Sequence, residues 1–331
     1  MSPPEITKKG IGIAVAGCGY WGPKLVRVLC ANKRCGRVFL WDKCRERMAK
    51  VAKDYPGTVC TAGFGEIFKN PGIRALVVAT PPFSHYHIAS EALKNGRHVL
   101  VEKPLALSCI QAENLIREAQ ARRLVLMAGH TYLYNQRVRK IKRLIDMNCL
   151  GRLRMMNFMR FGLIPALTRK PEIGVLWDYA VHDISILLYW LERMPLKISA
   201  RALGLPLCGG PDDGIHLRLE FPGDLIVSVR ASRVPRDKTR LIILNGTAGT
   251  IFYNDLECDA PIKIFLRKDF LTPKIADREP LSDECDDFMR SIERSGSCFC
   301  DGYSALRVLK ILEAAEKSLR THGKAVPLSN D

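Results

Sequence analysis

The chain has 331 residues, 47% of them hydrophobic, which is enough for a packed core and predicts two domains. Its formal net charge of +17 favours acidic partners, but no basic run is long enough to form an arm. No helix-turn-helix, zinc-finger or RNA-recognition signature is present either, so nucleic acid is not an expected partner. The twelve cysteines include no pair of Cys-x-x-Cys knuckles, MSPPEITKKG at the start has no apolar run, and no span reaches the roughly 18 apolar residues of a membrane helix. The expectation is a cytoplasmic protein with reduced thiols, no structural metal and no membrane segment.

Apolar runs at IGIAVAG (11–17), RVFLWD (37–42), ALVVATPP (75–82), HVLVEKP (98–104) and LVLMAGH (124–130) predict strands. Helical patterns lie between them. SCIQAENLIREAQARR starts at Ser108, a suitable N-cap, and SHYHIASEALKNG stops at Asn95-Gly96. Such alternation predicts a parallel sheet covered on both faces.

The first strand runs into GCGYWG, where Gly17, Gly19 and Gly22 match G-x-G-x-x-G and open the helical pattern PKLVRVLCA. In that setting the match predicts a dinucleotide loop: Gly17 permits the tight turn, Gly19 lets a pyrophosphate approach the backbone, and Gly22 lets helix pack on strand. Asp42 ends the second strand, where a carboxylate holds the adenosine ribose hydroxyls. It would repel a 2′-phosphate, so NAD is favoured over NADP, although Lys43 and Arg45 can receive that phosphate. Tyr20 and Lys43 are counted with the cofactor-binding residues, and Trp21 is expected to flank the cofactor rather than the core.

At HVLVEKPLAL (98–107), Glu102 and Lys103 put both signs of charge at a strand end and Pro104 stops the ladder. A parallel strand end can open into a ligand crevice or simply meet solvent. After it, His130 and Tyr132 suit core packing as well as ligand contact. QRVRKIKRLIDM reads as a helix with a solvated cationic face, a diphosphate-binding edge being the alternative.

From GRLRMMNFMRF (151–161) onward the pattern changes to long strands. GIHLRLEFPGDLIVSVRAS (214–232) alternates with period two around Pro222-Gly223, and TRLIILNGTAGTIFYND (239–255) reads as a hairpin. A large, open, mostly antiparallel sheet is predicted, with a second face left for another layer or another subunit. One helix interrupts it, VLWDYAVHDISILLYWLE (175–192). Asp178 and His182 stand four apart on one face, with Asp183 pointing elsewhere. The pair reads either as a buried histidine satisfied by its aspartate or as a general base oriented by a carboxylate.

AGCGYWG, ATPPFSHYHIASEAL, NGRHVLVEKPLAL, AGHTYLYN and LWDYAVHD follow one another in an order and spacing that resembles the glucose–fructose oxidoreductase / inositol dehydrogenase / MocA (Gfo/Idh/MocA) family. The resemblance runs from about Ile11 to DGYSALRVLKILEAAEKSLR, and is greatest to UDP-N-acetylglucosamine 3-dehydrogenase-like sugar-nucleotide oxidoreductases. It departs at Asn135-Gln136, where relatives carry Asn-Pro, and at Glu172, Gly174 and Val181, where they carry Asp, Asn and Pro.

The resemblance implies an α/β N-terminal Rossmann domain, doubly wound and parallel, over residues 1–128. It implies an α+β domain for substrate binding and oligomerisation over 129–331, whose last helix packs back on the first. It places Lys103 beside the nicotinamide ribose and the substrate hydroxyl, and Glu102 at the cofactor's ribose region. Asp178 and His182 complete the site. Thr80, Pro81 and His85 fall where the family lines the cofactor pocket, a helix-start histidine being the alternative for His85. The implied activity is NAD(P)-dependent hydride transfer to or from a ring hydroxyl or ketone of a sugar, nucleotide-linked, by a homodimer or homotetramer. A free-sugar or inositol-type polyol dehydrogenase is the second reading. A ligand-sensing regulatory protein on the same fold is the third, and it would have no need of a base.

Overall fold

Buried apolar runs of four to seven residues become the first strands because each is covered on both faces. The computed structural model describes residues 10–162, 173–204, 212–276 and 278–328. The N-terminal stretch 1–9 and the segment holding Glu172 lie outside the described residues. The first elements are β1 (Ile11–Ala16), α1 (Gly22–Ala31), β2 (Cys35–Trp41), α2 (Arg45–Asp54), β3 (Val59–Cys60) and α3 (Glu66–Lys69). Then come β4 (Ile73–Val78), α4 (Pro82–Lys94), β5 (His98–Glu102), α5 (Cys109–Ala121), β6 (Leu126–Gly129) and a short 3₁₀ turn, Thr131–Tyr134. They are followed by α6 (Gln136–Asp146), β7 (Leu153–Phe161), a π-helical turn at Leu176–Ala180 and α7 (Val181–Leu191). Seven strands follow: β8 (Lys197–Ala202), β9 (Gly214–Phe221), β10 (Leu225–Ser232), β11 (Thr239–Gly246), β12 (Gly249–Asn254), β13 (Ile262–Leu266) and β14 (Phe270–Leu271). Last are α8 (Pro280–Arg294), α9 (Gly302–Arg320) and β15 (Val326–Pro327).

The chain divides into two compact units. Unit 1 holds the residues up to Tyr134 together with Arg278–Leu306; unit 2 holds 135–277 and the residues from Arg307 onward.

In unit 1 six strands form a parallel sheet in the order β3-β2-β1-β4-β5-β6. The strand order reverses between β1 and β4, and open α/β sheets bind ligands at the carboxyl ends of the strands flanking such a switch. The predicted punctuation holds. Ser108 accepts a hydrogen bond from the Gln111 amide at 3.2 Å to cap α5, and Gly96 takes φ +72° just beyond α4. β3 was not anticipated, because two residues carry no periodicity. The segment 278–306 also belongs to this unit: Arg34 reaches Asp286 (3.1 Å) and Glu293 (2.5 Å), and Arg27 pairs with Glu279.

Unit 2 is built on a nine-stranded sheet, β14-β13-β12-β11-β7-β10-β9-β8-β15. All its neighbours are antiparallel except β7 and β10. The period-two pattern of β9 and β10 buries Ile215, Leu217, Leu219 and Phe221, then Leu225, Val227, Val229 and Ala231. On β7, Phe158 meets Trp190 of α7 with ring centroids 5.9 Å apart, and the Trp190 indole donates to the Val138 carbonyl of α6 at 2.9 Å. Eight of the eleven residues of α7 are buried, His182 not among them.

On the cationic helix α6, Arg143 is exposed and Arg137, Arg139 and Lys140 are half-buried, so the expected solvated face fails only at Lys142. Lys142 is buried and pairs with Asp146 (2.5 Å) and Glu192 (3.3 Å), and Arg137 donates to the Asp255 carbonyl at 3.2 Å.

Candidate active site

The glycine loop joins β1 to α1 at the switch point. Gly17 has φ +103°, and a Cβ on it would lie 2.5 Å from the Ala79 carbonyl oxygen just past β4. A Cβ on Gly22 would lie 2.0 Å from the Gly17 oxygen, so helix and strand meet here only through glycine. Gly19 has nothing within 4 Å of its Cβ position, which leaves its backbone open to an approaching phosphate. Asp42 follows β2. Its Oδ2 accepts from the Cys18 amide (2.6 Å) and its Oδ1 from the Cys44 amide (2.7 Å), so the carboxylate is fixed beside the loop. Each oxygen keeps lone-pair capacity for ribose hydroxyls. These residues fit a dinucleotide. Tyr20 (77% exposed) and Trp21 (36%) stand outside the core, and the Lys24 ammonium lies over both rings, at 3.7 and 4.2 Å. Lys43 is exposed beside Asp42.

Past β4, Thr80 is half-buried, its hydroxyl accepting from Ser84 at 2.7 Å, and Pro81 is exposed. His85 is buried with both ring nitrogens 2.8 Å from carbonyls, those of Thr80 and Pro104. Two carbonyls call for two N–H groups, whereas burial first, and the Lys103 charge as well, push its pKa down. Burial is the larger effect, and His85 acts as a buried tie between the segments that follow β4 and β5.

Glu102 and Lys103 lie at the end of β5. Glu102 is buried, and burial pushes its carboxyl up to about 7, with Lys103 pulling back. Its Oε2 accepts from the Lys103 amide at 3.3 Å. Lys103 is half-buried at the strand end. Next door, β6 ends at Gly129, paired with Glu102 in the ladder, and His130 follows, 2% exposed.

Sequence reasoning missed Glu284 on α8. It is buried, its Oε2 accepts from the Thr131 hydroxyl at 2.8 Å, and burial, then the neighbouring Glu102, hold its carboxyl well above the usual range. A signal was available: Glu284 falls in phase with Leu281, Phe288 and Ile292, an acid on the apolar stripe of its helix.

Unit 2 carries the other two predicted catalytic residues. The predicted continuous helix is instead a π turn with Asp178 at its centre, continued by α7 with His182 as its second residue. In an α-helix four residues advance about 400°. The wider π turn advances less per residue, so the pair stays near one face in either geometry. Both residues are half-buried in a mostly buried segment, and single π turns recur at functional sites. At the departures from the family pattern, the Gly174 carbonyl accepts from the Trp177 and Asp178 amides at 3.1 and 3.0 Å, and Val181 starts α7. Asp183 turns the other way, into a bidentate pair with Arg160 of β7 at 2.8–3.2 Å. The structure thus places Lys103 and the cofactor-binding residues in unit 1, and Asp178 and His182 in unit 2. No group of three or more metal-ligating side chains occurs among the described residues.

The fold and the glycine loop can be set beside known proteins. Over 89% of its length the chain is 28% identical to UDP-N-acetylglucosamine 3-dehydrogenase of Acidithiobacillus ferrooxidans, covering 93% of that protein. A solved structure of that enzyme superimposes with a TM-score of 0.83 at 23% identity, covering 95% of this chain and 99% of the other. Levoglucosan dehydrogenase of Pseudarthrobacter phenanthrenivorans is 25% identical over 82% of this chain and 85% of its own. A solved levoglucosan dehydrogenase complex with NADH and levoglucosan has a TM-score of 0.83 at 20% identity, covering 96% and 99%. The scyllo-inositol 2-dehydrogenase (NAD(+)) of Bacillus subtilis is 27% identical over 66% of each chain. Residues 11–130 match the oxidoreductase family with an NAD-binding Rossmann fold, and residues 138–252 match the Gfo/Idh/MocA C-terminal domain. With the strand order, the glycine loop and the Asp42 carboxylate already in place, the chain belongs to the Gfo/Idh/MocA family of NAD-binding oxidoreductases.

Proposed function

We propose that the protein is an NAD-dependent dehydrogenase or ketoreductase acting on a ring carbon of a nucleotide-linked sugar. The observation that carries the substrate class is the likeness to UDP-N-acetylglucosamine 3-dehydrogenase across nearly the whole of both chains. NAD, when bound, accepts or returns the hydride. Gly17, Gly19, Gly22, Tyr20, Trp21, Asp42 and Lys43 hold its adenosine and pyrophosphate half, and Thr80, Pro81, Glu102 and Lys103 form the other end of its pocket, which His85 supports from behind through the Thr80 and Pro104 carbonyls. Lys103 stabilises the developing alkoxide, His182 takes the hydroxyl proton in oxidation and returns it in reduction, and Asp178 fixes the orientation of His182. Unit 2 supplies the substrate-binding and oligomerisation domain.

The test is NADH formation, followed by absorbance, with a panel of UDP-, GDP- and dTDP-sugars, free sugars and inositols. Turnover of a nucleotide sugar in preference to its free sugar is the expected result. Preference for a free sugar or polyol would move the substrate to the class of the levoglucosan and inositol dehydrogenases. NADH binding without turnover of any sugar would favour a sensor.

A homo-oligomer is part of the proposal. On the sheet face opposite α7, Met155 (46% exposed), Phe252 (37%) and Phe265 (43%) leave an apolar stripe, and Phe265 packs against exposed Phe270 at 4.9 Å. A second copy of the chain covers that stripe. Light scattering at micromolar concentration is expected to show more than one chain per particle, and a monomer would remove this element. No described helix is long and apolar enough to cross a membrane.

A further inference from the structure

Three arginines meet at one end of the unit 2 sheet. Arg160 on β7 and Arg240 on β11 stand directly opposite each other in the ladder, so both point to the face that α7 covers. Arg233 follows β10, the parallel neighbour of β7, with its guanidinium 6.0 Å from the Tyr179 ring. Burial first, then Asp178, raises the Tyr179 pKa, while Arg233, Arg240 and Arg160 pull it back, so these charges surround the residue next to Asp178. Like charges placed directly opposite on a sheet cost stability unless anionic groups match them.

Two of the three are matched inside the fold. Arg160 is buried and bidentate to Asp183, and Arg233 is buried with Asp213 at 3.6 Å. Arg240 is more accessible. Its side chain is 31% exposed, and its ion pair with Asp255 is long, at 3.4 Å. The Asp255 carboxylate is shared: its Oδ1 accepts from the Tyr253 hydroxyl at 2.7 Å and from the Asn135 side-chain amide at 3.4 Å. Arg137, in the first turn of α6, donates to the Asp255 carbonyl at 3.2 Å. Two guanidinium groups, one from β11 and one from α6, therefore converge on a single aspartate.

Resting on the nucleotide-sugar reading above, we infer that Arg240 binds the diphosphate of the substrate. A guanidinium presents paired N–H donors that match two phosphate oxygens, and a diphosphate brings the negative charge that opposed arginines call for. Arg240 lies on the same side of the sheet as the Arg160-Asp183 pair, which anchors the helix carrying His182, so the anion contact and the proposed base belong to one unit. The role is substrate selection: a free sugar or polyol has no phosphate for Arg240 to hold.

The test reads phosphate recognition separately from catalysis. UDP, GDP and dTDP, each with its nucleoside as control, are titrated by calorimetry into protein saturated with NADH, which keeps them out of the cofactor site. At least one diphosphate is expected to bind the wild type, and Arg240→Met is expected to weaken it about 10- to 100-fold, the scale of a hydrogen bond to a charged group. The matching nucleoside, which has no phosphate, is expected to bind both proteins alike. Arg240→Lys keeps the charge and loses the fork, so its affinity is expected to fall between the two. It also carries the test if the methionine variant does not fold. With the matching nucleotide sugar, KM is expected to rise by a similar factor while kcat changes little, as when uniform binding is lost. Unchanged diphosphate affinity in a folded variant, or equal loss for nucleoside and diphosphate, overturns the inference. A wild-type protein that binds none of the three diphosphates would instead overturn the nucleotide-sugar reading, and this inference with it.

Discussion

Lys103→Met is expected to lose about 10²–10³-fold in turnover, the usual effect of removing an electrostatic stabiliser of developing charge. His182→Ala is expected to lose about 10²–10⁴-fold, as for a positioned general base. Both variants should bind NADH nearly as wild type does, because the glycine loop and Asp42 hold the far half of the cofactor. Asp178→Asn should lose less than His182→Ala, since the imidazole stays and only its orientation weakens. The double variant Asp178→Asn/His182→Ala should be little worse than His182→Ala alone, because groups that act as a unit are not additive. Turnover is followed at the nicotinamide absorbance band with the sugar found in the panel, and NADH affinity is measured by calorimetry for each variant. Wild-type turnover in Lys103→Met and His182→Ala would show that these residues only support the fold.

Asp183→Ala is expected to cost about 3–5 kcal/mol of stability, read by urea denaturation, because it strands the Arg160 guanidinium in the interior. The two side chains are 8% and 3% exposed, and the carboxylate takes three hydrogen bonds from Arg160 at 2.8–3.2 Å. A buried charge without its partner costs more than the pair contributed. For the same reason Arg160→Met/Asp183→Leu, which removes both charges, should recover most of the loss. The pair anchors α7 to β7 one residue away from His182, so Asp183→Ala should also lower turnover of the protein that remains folded. A loss below about 1 kcal/mol would mean that this ion pair does not hold the helix in place.

Local requirements were legible in the sequence. Gly22 is demanded by the Gly17 carbonyl five residues before it and Gly17 by its own φ of +103°, while the approach of the Ala79 carbonyl to Gly17 comes from β4 and only the fold shows it. The twofold alternation of β9 and β10, the Ser108 cap and the carboxylate at the end of β2 are equally local. Each is set by the period of a strand, the geometry of a helix end or the length of one β-α-β unit. Asp183 illustrates the limit. It follows His182 in the chain, and nothing in the letters says that one faces a buried arginine on β7 while the other stays half-buried. The π turn around Asp178 was hidden too, since a helical apolar pattern does not show a single widened turn. Glu284 meets Thr131 from 153 residues away, and the high pKa values of Glu102 and Glu284 come from burial that only the assembled unit creates. Backbone rules act on neighbours in the chain and can be read there. Desolvation and ion pairing act on neighbours in space, and those are set only when distant segments pack together.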